Sequence, residues 1–345
     1  MPDPSRLPAD IALIPLPLPT SFEIPTVNAY LLKGEPVALV DPGPQTDEAF
    51  QALMGGLNEH KTRLEDIELV LLTHQHEDHV GMAQAVAQAS GAAIAGVPKL
   101  ARLMRDYDAS MDLEDRFIKA TMLRHGVDAQ AAAALERTFR GFRRFVRSAE
   151  ITRVVDEGSR VTAGGRELAV LRAPGHSPTD TLFFSEVDGV LLGGDHLLER
   201  ISSNPIAHWP IDDRKPEDSS AAPDRRRALI EYIASVRRTS ELNVSLVLPG
   251  HGRPFSDHRG IIERRIAMHE RRAGTILGAM NGAVSAAELG RRLWRDVSGT
   301  EAYLVLSEVL GHLDLLEESG KVRGLEDGGL VFWERISPMS DAPIV

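Results

Sequence analysis

The chain contains no cysteine among its 345 residues. That excludes disulfide bridges, thiolate metal sites and a cysteine nucleophile, and it fits a reducing compartment. No apolar run approaches the ~20 residues that a membrane-spanning helix requires, so no membrane association is expected. Met1-Pro2-Asp3-Pro4-Ser5 lacks the basic-then-apolar order of a secretory signal, and a cytoplasmic location is the expectation. Basic residues are outnumbered, 39 Lys and Arg against 50 Asp and Glu, for a formal net charge of −11. Such a surface disfavours nonspecific binding to nucleic acid or membrane. With 43% hydrophobic and 26% charged residues, the composition is that of a globular protein, long enough for a large core and two domains.

Histidine is scarce too, 12 in all, yet three fall in the hexapeptide His74-Gln75-His76-Glu77-Asp78-His79. The hexapeptide follows an apolar run (Ile67, Leu69, Val70, Leu71, Leu72) that reads as a buried strand. Imidazole nitrogen and carboxylate oxygen are ligands that Zn²⁺ favours. In a tight turn His74 and His76 project the same way, while Asp78 and His79 serve a second point, which suits a two-metal centre. Three further strand-like runs end the same way: Ala173-Pro174-Gly175-His176, Leu191-Leu192-Gly193-Gly194-Asp195 and Val247-Leu248-Pro249-Gly250-His251. In each, an apolar strand meets a Gly or Pro turn and then a ligand-type residue, as when active-site groups ride on strand-end loops.

This order of motifs resembles the metallo-β-lactamase-fold hydrolases, across roughly residues 10 to 255. The resemblance implies an α/β fold, an αββα sandwich of two similar halves. It implies that His74, His76 and His176 hold one metal, that Asp78, His79 and His251 hold another, and that Asp195 bridges them. The implied cofactors are two Zn²⁺, with iron or manganese as alternatives. Two such ions lower the pKa of a bridging water and polarise the scissile bond, with Asp78 and Asp195 as the catalytic carboxylates. His76 stands where oxygen-reducing flavodiiron relatives carry Glu, and a bridging Asp195 resembles glyoxalase II and the lactonases. The expected activity is hydrolysis of a small-molecule acyl bond, a thioester first. A single-strand endoribonuclease of the lactamase-B-like type is the alternative; a lactonase or a weakly active regulator is a third reading.

Around these motifs the chain falls into distinct stretches. Residues 99–150 are rich in Ala and Arg and read as two or three helices inserted beside the site. There Arg137, Arg140, Arg144 and Arg147 share one helical face, opposite Phe139, Phe142 and Val146. That face reads as a solvated one, or as a cradle for substrate phosphates. Met104, Tyr107, Met111, Phe117, Met122 and Leu123 read as core, or as the lining of an acyl pocket. Asp41, at a strand end, is either a turn residue or a carboxylate steadying a ligand loop. Residues 198–224, with Pro205, Pro210, Pro216 and Pro223, form a loop that rims the site. His196 is a candidate substrate contact beside it, and His208 and Trp209 are weaker ones. From His258 onward, helices at Gly260–Leu277, from Ser285 to Trp294 and at Thr300–Ser319 precede a two-stranded ribbon turning at Asp327-Gly328. This resembles a winged-helix extension and divides the chain into a catalytic domain, 1–257, and a C-terminal domain, 258–345. Its acids and bases are balanced, so it reads as a packing or dimerisation element, leaving room for a homodimer.

Metal content is the first test of this reading. Purified protein supplemented with zinc is expected to carry about two ions per chain, with His76→Ala and His251→Ala each emptying mainly one site. Elemental analysis giving one ion or fewer from the unsubstituted chain defeats the two-metal reading.

Overall fold

A computed structural model describes residues 7–19, 24–211, 225–294 and 301–336; Met1-Ser5, Pro216, Pro223 and Thr300 lie outside them. Short apolar strands come first: β1 (Ile11–Pro17), β2 (Thr26–Leu32), β3 (Ala38–Val40), β4 (Leu69–Leu71), β5 (Ala93–Gly96) and β6 (Arg153–Val154). They form one sheet in sequence order, antiparallel through β3 and parallel from β3 to β6. A second sheet runs β11-β10-β9-β8-β7, from β7 (Arg160–Ala163), β8 (Arg166–Arg172), β9 (Thr181–Ser185), β10 (Val190–Gly194) and β11 (Leu246–Pro249).

The sheets face each other because their strands carry apolar residues on both faces. Tyr30, Val40, Leu69 and Leu71 of the first pack against Val161, Leu168, Val170, Phe183 and Leu248 of the second. The outer face of the first sheet is covered by α1 (Asp47–Glu59), α3 (Ala83–Ser90) and α4 (Pro98–Arg105), through Leu53, Leu57, Val86 and Leu100. The outer face of the second is covered by α7 (Ala228–Glu241) and α8 (His258–Ala279), through Tyr232, Val236, Ile261 and Ile262. The layers are therefore helix, sheet, sheet, helix: the αββα sandwich. Among the described residues no helix is long and apolar enough to cross a membrane.

The remaining helices build a separate core. The stretch read as an insertion folds as α4, α5 (Tyr107–Arg124) and α6 (Ala129–Phe142). After α8 come β12 (Val284–Ser285), α9 (Ala286–Leu293), α10 (Glu301–Glu318), β13 (Val322–Asp327) and β14 (Leu330–Arg335). The Ser285 side chain accepts from Glu288 N at 3.2 Å and so caps α9. The ribbon is three-stranded, β12-β14-β13, because Val284 and Ser285 pair with Trp333 and Phe332. Phe117, Ile118, Met122 and Leu135 of α5 and α6 pack with Ile276, Leu306, Leu310, Leu313 and Trp333 in one cluster. Helices α5 and α6 and the C-terminal elements thus bury each other, and removing residues 99–150 would strip one side of that core.

A short helix, α2 (Glu77–Val80), precedes α3. One local expectation changes. The helix expected through Arg147 stops at Phe142, where a tight turn at Arg143–Phe145 leads into extended Val146. Burial of Phe145 and Val146 in the core ends it, overriding the periodicity of the arginines.

Leu313 is fully buried in the shared helical core. Leu313→Ala is expected to destabilise the protein by about 2–5 kcal/mol, read from urea unfolding; a loss below about 1 kcal/mol would mean the cluster is not close-packed there.

Candidate active site

The strand ends of both sheets converge on one point. Asp41 follows β3, Thr73 to His79 follow β4, His176 follows β8, Asp195 follows β10 and His251 follows β11. The loop after β11 is tied to the first sheet: Asn28 Nδ2 and Tyr30 Oη donate to Pro249 O at 2.9 and 2.8 Å, and Asn28 N donates to Gly250 O at 2.7 Å. Gly250 leaves the room the site needs, because a Cβ there would collide with the Asp195 carboxylate and the His79 ring.

Two clusters of ligand-type atoms result. His74, His76 and His176 form one, with His76 Nδ1 lying 3.0 Å from both His74 Nε2 and His176 Nε2. Asp78, His79 and His251 form the other, with His251 Nε2 at 3.2 Å from Asp78 Oδ2. Asp195 stands between them: Oδ2 is 3.3 Å from His251 Nε2 and 3.7 Å from His176 Nε2, and Oδ1 is 3.6 Å from His79 Nε2. The residues singled out as ligands are thus brought together by the segments that follow β4, β8, β10 and β11.

The far side of each ring shows how the site is oriented. His79 Nδ1 lies 3.0 Å from Asp41 Oδ2, His251 Nδ1 2.7 Å from Thr26 O and His176 Nδ1 2.9 Å from Asn204 O. Thr73 Oγ1 donates to Asp41 Oδ2 at 2.6 Å and accepts from His74 Nδ1 at 3.0 Å. Each acceptor holds a proton on the remote nitrogen and leaves Nε2 facing inward, the arrangement typical of metal-binding imidazoles. Asp41 also accepts from Thr73 N at 2.9 Å, its backbone held at a φ of 50°. It therefore braces the segment that carries His74 to His79.

These residues fit divalent metal ions. His79 Nε2 and Asp195 Oδ1 are buried with no hydrogen-bond partner, an arrangement that costs free energy unless a cation or water satisfies it. Burial and the neighbouring imidazoles hold His74 and His76 well below the ordinary value. Burial opposes charge on His79 and His251 as well, but Asp78 and Asp195 override it: His79 is held well above the ordinary value and His251 is pushed up to about 10. Burial likewise disfavours charge on Asp78 and Asp195, yet His79 and His251 keep both carboxylates below their ordinary value. The site demands positive charge.

A cavity of about 310 Å³ opens on these residues, bordered by His76, Asp78, His176, Asp195 and His251. Its other walls are Leu103, Tyr107, Met111, Ile118, Phe139 and Phe142 from the inserted helices and Tyr303 and Leu304 from α10. Of the residues first read as a pocket, Tyr107 and Met111 line it. Met104 lies in the core beneath the first sheet, Phe117 and Met122 in the helical core, and Leu123 is exposed.

The arginines singled out by periodicity do not reach the cavity. Arg137, Arg140, Arg144 and Arg147 are exposed; Arg140 pairs with Asp115 at 3.4 Å and Glu136 at 3.2 Å, and Arg144 lies over the Phe145 ring. Arg143 lines the cavity instead and pairs with Asp112 and Asp115. His196 also points away. It is buried with Nε2 at 2.9 Å from Thr239 Oγ1 on α7, and burial, with Arg238 nearby, pushes it down to about 3. Glu114 and His208, by contrast, sit in the cavity wall. Glu114 carries no signal in the sequence, since it is one acid among several on a helix.

Comparison with known proteins agrees with this fold. A sequence profile of the Metallo-beta-lactamase superfamily matches residues 25–251. The probable metallo-hydrolase YqjP of Bacillus subtilis (strain 168) is 31% identical over 323 residues, 93% of this chain and 97% of its own length. The atrochrysone carboxyl ACP thioesterase of Aspergillus fumigatus is 24% identical over 286 residues, 79% of this chain and 69% of its own. Among solved structures, a metallo-beta-lactamase family protein of Thermus thermophilus has a TM-score of 0.77 and 29% identity, covering 95% of this chain and 99% of that one.

The site's charges make metal-free stability depend on pH. Protons held on His79 and His251 contribute stability that is complete below the ordinary value of 6.5 and is lost as pH rises, for His251 through about 10. His74 and His76 act oppositely: neutral in the fold and protonated when unfolded, they cost stability as pH falls below 6.5. The unfolding free energy of the metal-free chain is therefore expected to peak near 6.5. Saturating zinc should remove the alkaline decline, because both imidazoles bind metal in the neutral form. Urea titrations across the pH range check both statements; an alkaline limb indifferent to zinc would refute the second.

Proposed function

The chain belongs to the metallo-beta-lactamase superfamily and is a metal-dependent hydrolase, and on that premise we propose that it cleaves a small-molecule acyl bond, a thioester first. The carrying observation is the cavity, which joins the carboxylate–imidazole cluster to a wall of apolar side chains from the inserted helices and α10. An acyl chain is the group such a wall stabilises by burial. A relative named for thioesterase activity lends further support.

Two zinc ions are the proposed occupants, one held by His74, His76 and His176 and the other by Asp78, His79 and His251, with Asp195 between. Bound there, divalent ions supply a water activated near neutral pH and a Lewis acid for the scissile carbonyl. The chain's own residues do the rest. Asp78 and Asp195, kept ionised by His79 and His251, supply the negative charge that retains cations. The apolar wall excludes bulk water from the acyl group and sets its depth. Tyr107 donates its hydroxyl to Glu77 Oε1 at 3.2 Å, which fixes one edge of the opening.

The ribonuclease alternative draws no support from the arginine face, which lies on solvent with the cavity elsewhere. The helix–strand–helix–helix–strand–strand order of residues 258–336 favours reading them as a winged-helix-like unit. Its apolar side is spent on the inserted helices, so a packing role suits it better than groove binding.

Metal-loaded protein assayed on acyl-thioesters, lactones and single-stranded RNA separates these readings. Thioester hydrolysis is expected to be fastest and to favour apolar acyl groups. Leu304→Trp, which fills the cavity wall, should lower kcat/KM for long acyl chains at least tenfold on the scale of a few lost apolar contacts, with metal content unchanged. Replacing Arg137, Arg140, Arg144 and Arg147 by Gln should leave thioester turnover nearly unaltered. RNA cleavage that exceeds thioesterase activity and collapses in the four-Gln variant would replace this reading with the nuclease one.

A further inference from the structure

We propose that Glu114 and His208 are positioning residues for His76, so that the inserted helices orient a metal ligand through a carboxylate–imidazole–imidazole relay. The proposal rests on reading His76 as a ligand, and its logic is that of proton placement. His76 differs from the other four imidazoles in turning Nδ1, rather than Nε2, toward the cluster, 3.0 Å from His74 Nε2 and His176 Nε2. A ring offering the Nδ1 lone pair to a cation carries its proton on Nε2. That Nε2 lies 3.2 Å from His208 Nε2. One proton serves the two nitrogens, so His208 Nε2 accepts and the His208 proton resides on Nδ1. There Glu114 Oε1 accepts it at 2.9 Å.

The relay is rigid at both ends. Glu114 is buried, and its second oxygen accepts from Trp209 N at 3.0 Å, so the carboxylate is committed to this loop. The residue before His208 is held from the other side: Ala207 N donates to Ser307 Oγ at 3.2 Å, and the Tyr303 hydroxyl donates to Ala207 O. The same loop supplies Asn204 O to His176 Nδ1 at 2.9 Å. Without His208, the His76 Nε2–H would face the cavity with no fixed acceptor, and the ring would be free to turn. A Glu114 that merely tied α5 to the loop could do so through Trp209 N alone; the His208 contact is what makes it a relay.

The test is zinc affinity of the full chain, measured by competition with a chromophoric chelator. His208→Leu is expected to weaken binding at one site by about ten- to a hundredfold, the scale for lost outer-shell partners. His208→Gln should recover most of that loss, because its carbonyl accepts from His76 while its amide donates to Glu114. In the zinc-loaded chain, the exchange-protected Nε2–H resonance of His76 should persist in His208→Gln and vanish in His208→Leu. If His208→Leu does not fold, Glu114→Met, which removes the acceptor for His208 Nδ1–H while keeping the side chain's length, takes its place and should weaken the same site. Unchanged zinc affinity in His208→Leu, or in Glu114→Met where that variant decides, overturns the relay; so does equal loss in His208→Leu and His208→Gln. His76→Ala separates the two levels: if it too leaves zinc binding intact, the ligand assignment fails rather than the relay.

Discussion

The site depends on one kind of interaction, an acceptor held against the far nitrogen of each imidazole. The rings of His74, His76, His79, His176 and His251 crowd together, and left to themselves they would exchange protons and turn. Asp41, Thr73, Thr26 O, Asn204 O and His208 each take one remote N–H, so that the inward nitrogen of every ring is the one left to meet a cation. A half-satisfied buried polar network is worse than an apolar core. This one is completed on its outer side by the protein and left open only at its centre, where His79 Nε2 and Asp195 Oδ1 lack partners.

Those acceptors come from all parts of the chain, which explains why the helical additions are more than ornament. Asp41 and Thr26 belong to the first sheet and orient the half of the site that carries Asp78, His79 and His251. Asn204 and His208 lie on the segment after β10, whose described residues, 195–211, form no helix or strand and are held in shape by α5 and α10. The core that joins those helices therefore sets the orientation of His76 and His176. The same helices wall the cavity, so one packing arrangement governs both ligand geometry and the space for substrate.

Charge is distributed along the same division. The net charge is acidic, and on the exposed arginine face Arg140 is paired locally and Arg144 lies over an aromatic ring. Around the cavity the only arginine in the wall, among the described residues, is Arg143, and Asp112 and Asp115 neutralise it. What attracts cations is the buried carboxylate pair Asp78 and Asp195, and what receives substrate is apolar.

The His and Asp residues at the strand ends are legible in the sequence because their signal is local, and the αββα sandwich is legible only through the family resemblance those motifs carry. A strand of apolar residues ending in a Gly or Pro turn and then His or Asp is a short-range pattern, and each instance of it here has the same physical cause. Asp41 is half legible, as an acid at a strand end. Periodicity misplaces the arginines because helix α6 ends where Phe145 and Val146 enter the core, a decision made by packing and not by spacing. His196 misleads through its neighbour Asp195: adjacent side chains on a turn point apart, and His196 goes to α7. His208 is visible only as a weak candidate on the rim loop, and Glu114 and the carbonyls of Thr26 and Asn204 are illegible, since a backbone carbonyl is the same in every residue and a lone Glu has no signature. The chain's order of residues determined which atoms could bind a cation; only the tertiary structure decided which nitrogen of each ring would face it, because that choice belongs to acceptors brought from distant segments.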